Sequence, residues 1–357
     1  MNTWSRVILQ PALGVAAVGA VVALLAAAWA ARQQRRAAPQ AGLSGWAVWQ
    51  RALTVLTLVL TFDLLVFGAF TRLSDSGLGC PDWPGCYGEI HPGAADAHIA
   101  QAHAAMPSGP VSVSKAWIEM THRYLATGVG ALLTVLMGLA WRARGQAGVL
   151  SPWWPTWAFA WVCAQGAFGA FTVTLRLQPI VVTGHLLGAM LGVAILTWQV
   201  HTAPWGQALH RSNKPVDKAL PWAVRAVLFL LLVQLALGAW VSSNYAVLAC
   251  AEFPTCQGQW WPEMDVATGF HLLRPLGEDG RGGWVSLAAL TAIHMAHRLM
   301  ALVVVLALLA LAWRLHRSER GMHARWLLGL CLAQVATGLS NVVLGWPLLA
   351  ALGHTLG

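Results

Sequence analysis

The chain has 357 residues, of which 57% are hydrophobic and 10% charged, with a formal net charge of +9. This composition excludes an ordinary soluble domain and a disordered chain, and its long apolar runs predict a polytopic membrane protein. The runs must be helical, because a barrel would show short alternating segments and lipid leaves no backbone polar group free to go unpaired.

In chain order, the first apolar segment is expected at 6–31, ahead of Arg32, Arg35 and Arg36. It exceeds a signal core in length, so a retained helix is favoured over a leader cleaved among the small residues Ala26 to Ala31. Further spans are expected near 46–71, 117–141, 152–175, 180–203, 219–241, 285–313 and 323–345, with a ninth opening at about 347. Crossing a bilayer takes about 20 residues, so this ninth helix is expected to continue beyond Gly357.

Basic residues mark alternate connections: Arg32, Arg35 and Arg36; Arg142 and Arg144; Arg211, Lys214 and Lys218; and Arg314, Arg317, Arg320 and Arg325. The positive-inside rule assigns these to the cytoplasm and explains the charge without a nucleic-acid partner. The connections 72–116 and 242–284 then face outwards, and they hold Cys80, Cys86, Cys250 and Cys256. Arginines avoid that side, and thiols sit where disulfides persist.

The chain also repeats itself. Cys80 and Cys86 recur 170 residues on as Cys250 and Cys256, His122 recurs after 175 as His297, and His185 after 169 as His354. Asp82-Trp83-Pro84-Gly85-Cys86-Tyr87-Gly88 aligns with Glu252-Phe253-Pro254-Thr255-Cys256-Gln257-Gly258, and Gln165 with Gln334. The expected fold is an all-α polytopic membrane protein built as two four-helix bundle halves related by an internal repeat, 46–205 and 219–357, the last helix truncated. An extra N-terminal helix with its basic loop occupies 1–40.

The even cysteine count and the outer location predict two disulfides within loops, Cys80–Cys86 and Cys250–Cys256. Zinc is the weaker alternative, since no second pair follows at finger spacing, and His91, His98, His103 and His271 read as solvated loop histidines. The disulfides are either structural or redox-active towards a site beneath them. Cys163 and Cys331, inside spans, read as small buried hydrophobes.

A histidine within a span is costly and marks a functional site by default. His122 lies 20 residues before Arg142 and His297 17 before Arg314. At about 1.5 Å per residue both sit roughly 25–30 Å from the inner face. His185 and His354 follow Pro179 and Pro347, near the outer start of their helices. Two facing imidazoles on neighbouring helices can ligate one haem iron, so the repeat predicts one haem per half.

Glu119 stands one turn before His122 on the same face, where the second half has His294 before His297. A carboxylate at a membrane haem places the reacting site in the first half and a non-reacting haem in the second. The plainer reading pairs Glu119 with Arg123 or Arg72. Arg123 and Arg298, each next to a ligand histidine, suit haem propionates or are snorkelling arginines.

The string from Gly77-Leu78-Gly79-Cys80-Pro81-Asp82 to Cys86, then Glu119-Met120-Thr121-His122-Arg123 and Gln178-Pro179 before His185-Leu186, resembles the haem A synthase family. The second half is similar at Phe253-Pro254-Thr255-Cys256-Gln257-Gly258, His297-Arg298 and His354, so the resemblance covers about residues 46–357. The helix at 6–31 and the short last helix depart from that family's eight-helix plan.

The resemblance implies a multi-pass enzyme of the bacterial inner membrane that oxidises the C8 methyl of haem O to the formyl group of haem A. It implies that His122 and His185 hold the substrate haem, that Glu119 assists proton movement or steadies positive charge, and that His297 and His354 hold a permanent haem b. It makes Cys80 and Cys86 redox participants. Implied partners are membrane lipid, a haem O synthase and terminal oxidase assembly factors, with a homo-oligomer compatible. Two other classes fit the same histidines: a di-haem b-type, quinone-linked electron carrier and a haem-binding transporter or chaperone.

Overall fold

The computed structural model describes residues 3–202, 219–276, 284–318 and 320–356. Among these residues eleven α-helices form: α1 Thr3–Ala41, α2 Gly45–Leu73, α3 Asp96–Ala105, α4 Val113–Arg142, α5 Trp153–Thr174, α6 Pro179–Thr202, α7 Leu220–Ser243, α8 Val266–Gly269, α9 Leu287–Arg317, α10 Gly321–Val343 and α11 Leu348–Leu356. No strand forms among the described residues, only two isolated bridges in the Cys loops. The basic residues Arg211, Lys214 and Lys218 lie outside the described residues.

Local chemistry sets several of the boundaries. Ser44, Ser112 and Ser286 cap α2, α4 and α9, each hydroxyl accepting from the backbone N–H three residues on, at 3.3, 3.3 and 3.1 Å. A proline opens α6 and another stands in the first turn of α7, where a missing N–H costs nothing.

Among the described residues, seven helices are long and apolar enough to cross a membrane: Ala16–Arg36 within α1, and α2, α4, α6, α7, α9 and α10. The protein is a multi-pass membrane protein. The expected span at 152–175 forms as α5, whose 22 residues have the length but include four tryptophans and a glutamine, so it falls outside that apolar set. Two helices differ from expectation. The first runs on to Ala41 and stops before Gly42, which takes a left-handed φ of 62°, and α3 appears in a connection read as loop.

The chain divides into two compact units, Met1–Leu177 with Gly188–Ser212, and Gln178–Leu187 with Asn213–Gly357. Helix α1 therefore groups with the first unit, packed along α2. The opening turns of α6, which carry His185, group with the second.

In the first unit, Val129, Leu133 and Leu136 of α4 pack with Ala158 of α5 and Leu196 of α6. Buried polar groups on α2 find specific partners. Arg51 donates to Gln34 Oε1 at 2.9 Å and to Gln33 Oε1 at 3.3 Å on α1, and Gln50 Oε1 accepts from Leu150 N–H at 2.7 Å. Asp63, only 7% exposed, lies against Gly19 of α1, whose missing side chain leaves room for the carboxyl. In the second unit, Leu220 and Val227 of α7 pack with Val304, Leu308 and Leu311 of α9 and Cys331 of α10.

Cys331 is buried as expected, but Cys163 is exposed. Helix α5 packs on α4 along one side, and Cys163 stands on a different side.

Candidate functional site

The two Cys loops have the same local chemistry. Cys80–Cys86 and Cys250–Cys256 form disulfides with S–S distances of 2.06 and 2.01 Å. With the sulfurs joined to one another, the zinc alternative falls away. Tyr87 and Gln257 take left-handed conformations, φ 53° and 55°, each followed by a glycine at φ 77° and 73°. Two successive positive φ values make a tight turn, closed by paired backbone bonds between Cys86 and Glu89 and between Cys256 and Gln259. A carboxylate seals each turn. Asp82 accepts from Tyr87 N–H at 2.6 Å and Gly88 N–H at 2.7 Å, and Glu252 accepts from Gly258 N–H at 2.5 Å.

An arginine clamps each loop from the helix below. Arg123 Nη1 donates to the carbonyls of Asp82, Gly85 and Pro84 at 2.9, 2.5 and 3.2 Å. Arg298 donates to the carbonyls of Thr255, Glu252 and Cys250 at 3.1, 2.8 and 3.2 Å. Both guanidiniums turn towards loop carbonyls. The reason is reach, since the carbonyls of a tight turn converge on the arginine beneath.

Glu119 is 3% exposed. Its Oε2 accepts from Cys80 N–H at 2.8 Å, and its Oε1 accepts from Arg123 Nη2 at 2.6 Å. The plainer reading of a local pair with Arg123 is thus met, and the same carboxylate reaches the backbone of the disulfide. In the second unit His294 takes this place, 5% exposed, and its Nε2 accepts from Arg298 Nε at 3.3 Å.

Removing the Cys250–Cys256 bridge is expected to act on stability. Closing so short a loop contributes about 2 kcal/mol by chain entropy, so Cys250→Ser should lower the thermal midpoint while leaving haem content near normal. Selective loss of electron transfer at unchanged stability would contradict this.

Three of the four histidines lie against glycines. A Cβ on Gly68 of α2 would come within 2.9 Å of His122 Cε1, one on Gly238 of α7 within 3.2 Å of His297 Cε1, and one on Gly338 of α10 within 2.8 Å of His354 Cε1. His122 also stacks parallel to Phe67, ring centres 6.3 Å apart. In the second unit the rings of His297 and His354 stand 6.3 Å apart at 88°. Two imidazole–metal bonds of about 2 Å, with about 1 Å from each nitrogen to its ring centre, span roughly that distance.

The orientation of the His354 ring fits ligation. His354 Nδ1 lies 3.2 Å from the Gln334 carbonyl, which can only accept, so Nδ1 carries the proton and Nε2 keeps its lone pair. Gln234 Nε2 is 3.2 Å from His297 Nδ1. His185 lies in the opening turns of α6 that group with the second unit, its Nδ1 buried and without a hydrogen-bond partner among the described residues. These donors suit haem iron: neutral imidazoles in an apolar setting, one with its tautomer set by a backbone carbonyl.

Gly338→Ala is expected to push the His354 ring out of position and weaken retention of the haem there about tenfold, the lower end for disturbing a ligand's support. Haem per protein in the purified variant measures it.

The glycines and glutamines were not foreseen from sequence, although a signal existed. Gln165, Gln234 and Gln334 are each followed four residues later by a glycine, so that both sit on one helix face. Asp63 and Arg274, 7% and 5% exposed, were also missed.

Residues 51–357 match the family model described as cytochrome oxidase assembly protein, COX15-CtaA. The haem A synthase of Shewanella oneidensis is 38% identical over 85% of this chain and 90% of its own length. Those of Halalkalibacterium halodurans and Rhizorhabdus wittichii are 26% identical over 84% and 89%, and 28% identical over 90% and 92%, of this chain and theirs respectively. With the match spanning all four histidines and both disulfides, the chain belongs to the COX15-CtaA family of cytochrome oxidase assembly proteins.

Proposed function

We propose that the chain is a haem A synthase, oxidising the C8 methyl of haem O to a formyl group by successive hydroxylation and loss of water. The observation that carries this reading is the His297–His354 pair, 6.3 Å apart, with Gly238 and Gly338 cut away beside the rings. Family membership and relatives bearing that name support it.

In this reading His297 and His354 hold a resident haem b. Bound there, it supplies one-electron redox chemistry. His122 and His185 hold the substrate haem. Glu119 accepts a proton or steadies positive charge developing at the reacting methyl, and its bond to Cys80 N–H ties it to the Cys80–Cys86 disulfide. That disulfide is then the redox-active one of the two, and Cys250–Cys256 the structural one. Arg123 and Arg298 act mainly by holding the loops over the sites.

The two halves, 46–205 and 219–357, are read as copies of one ancestral unit, joined to an added N-terminal segment over 1–40. Matching turns, carboxylate seals and arginine clamps support this. The Cys loops are read as lying on the outer face of the bacterial inner membrane, which the basic residues of the alternate connections support. A haem O-producing enzyme and oxidase assembly factors are the natural partners, since one must supply the substrate and the other consume the product.

Extraction of pigment from membranes with and without the chain tests the assignment. Formyl-bearing haem that depends on the chain supports it. Haem b alone with quinol turnover would instead indicate the electron carrier, and haem chemistry indifferent to the chain would indicate a transporter.

A further inference from the structure

Arg274 lies in the outer connection between α8 and α9 and is only 5% exposed. Its guanidinium donates to Asn244 Oδ1 and, at 3.5 Å, to the Thr268 carbonyl. Both acceptors are neutral. No carboxylate among the described residues pairs with it, and burial lowers its pKa from the ordinary arginine value. Asn244 is itself held, its Nδ2 donating to the Trp240 carbonyl at 2.8 Å, and Trp240 Nε1 donates to the Gly269 carbonyl at 2.9 Å. A buried cation without a counter-charge costs several kcal/mol. A site that keeps one in a fixed frame is suited to receiving an anion.

The neighbourhood indicates which anion. The Arg274 carbonyl accepts from Gln178 Nε2 at 2.9 Å, so this residue anchors the start of α6 within the second unit. His185 lies seven residues beyond Gln178. That is roughly 10 Å along the helix axis, comparable to the reach from a porphyrin's centre to its carboxylate edge. Haem is an apolar disc with two carboxylates, and an arginine fork matches a carboxylate with two parallel donors. Arg123 and Arg298, beside the ligand histidines, already serve loop carbonyls.

We propose that Arg274 binds a carboxylate of the substrate porphyrin ligated by His185, with Gln178 and Asn244 positioning it. This rests on His185 being a ligand of the substrate haem. It selects the free acid of the porphyrin over an ester.

The test titrates the solubilised full-length protein, its resident haem in place, with haem O and with haem O dimethyl ester, following the Soret band. Wild type should bind the acid about tenfold or more tightly than the ester, the worth of one charge-assisted bond. Arg274→Gln should bring that ratio close to one at unchanged resident haem content, and Arg274→Lys should retain part of it. Equal binding of acid and ester by wild type would overturn the proposal even if Arg274→Gln failed to fold, and so would an unchanged ratio in Arg274→Gln. His185→Ala separates the underlying reading: if haem O still binds that variant with the wild-type spectrum, the assignment of His185 fails, whatever the ester comparison shows.

Discussion

Glu119→Gln is expected to abolish formyl-haem production, by on the order of a hundredfold or more, the usual worth of a positioned acid or base, while haem stays bound. The geometry makes this substitution informative. Gln keeps an oxygen for the Cys80 N–H that Glu119 Oε2 accepts at 2.8 Å, but removes the charge facing Arg123 Nη2 at 2.6 Å. Arg123 keeps its three loop carbonyls, so the Cys80–Cys86 loop has a second hold. A purely structural Glu119 would therefore show itself as lost stability with formyl formation intact. Breaking a buried ion pair from one side costs about 3–5 kcal/mol, so the thermal midpoint must be measured beside the pigment. Normal haem A formation in a folded variant would remove Glu119 from the chemistry.

His297→Ala is expected to empty the second unit's site, reducing resident haem at least tenfold, more than the loss of a ligand's outer support brings. His354→Ala should give the same result, because either substitution leaves one imidazole where two face each other at 6.3 Å. The methyl that replaces the ring leaves a space lined by Gly238 and Gln234, so added imidazole is expected to restore part of the low-spin spectrum in His297→Ala. The reduced spectrum of the purified variants, with haem extracted and quantified, measures both effects. Full haem occupancy in His297→Ala would break the assignment of this pair.

Much of the site was legible because membrane proteins restrict what can stand inside a span. Cys80, Cys86, Glu119 and the four histidines are conspicuous against apolar text, and their recurrence about 170 residues later marks them as sets. The disulfides followed from compartment and count alone. The arginines were harder. Arg123 and Arg298 stand out because they follow the histidines in sequence, but their hold on the loops is decided by the turns above, whose carbonyls converge only after Tyr87-Gly88 and Gln257-Gly258 fold back. Gln234 and Gly338 carried only the four-residue spacing of glutamine and glycine as a signal, since either residue in a helix has many uses. Cys163 was misread because α5 shows no distinct apolar face in its sequence, and only packing tells which side meets a neighbouring helix.

The sequence by itself determined that the chain crosses the membrane repeatedly as helices, which residues are too polar to be there without cause, and where the loops are tied by disulfides. These follow from solvation free energy and chemical type, which each residue carries wherever it stands. Only the tertiary structure decided that Glu119 serves a backbone N–H and an arginine together, that the rings of His297 and His354 stand 6.3 Å apart, and that Arg274 is buried with no carboxylate partner among the described residues. Those are relations between segments far apart in the chain. Helix packing sets them, through small residues that let rings approach and turns that bring carbonyls together, and no local pattern encodes that geometry.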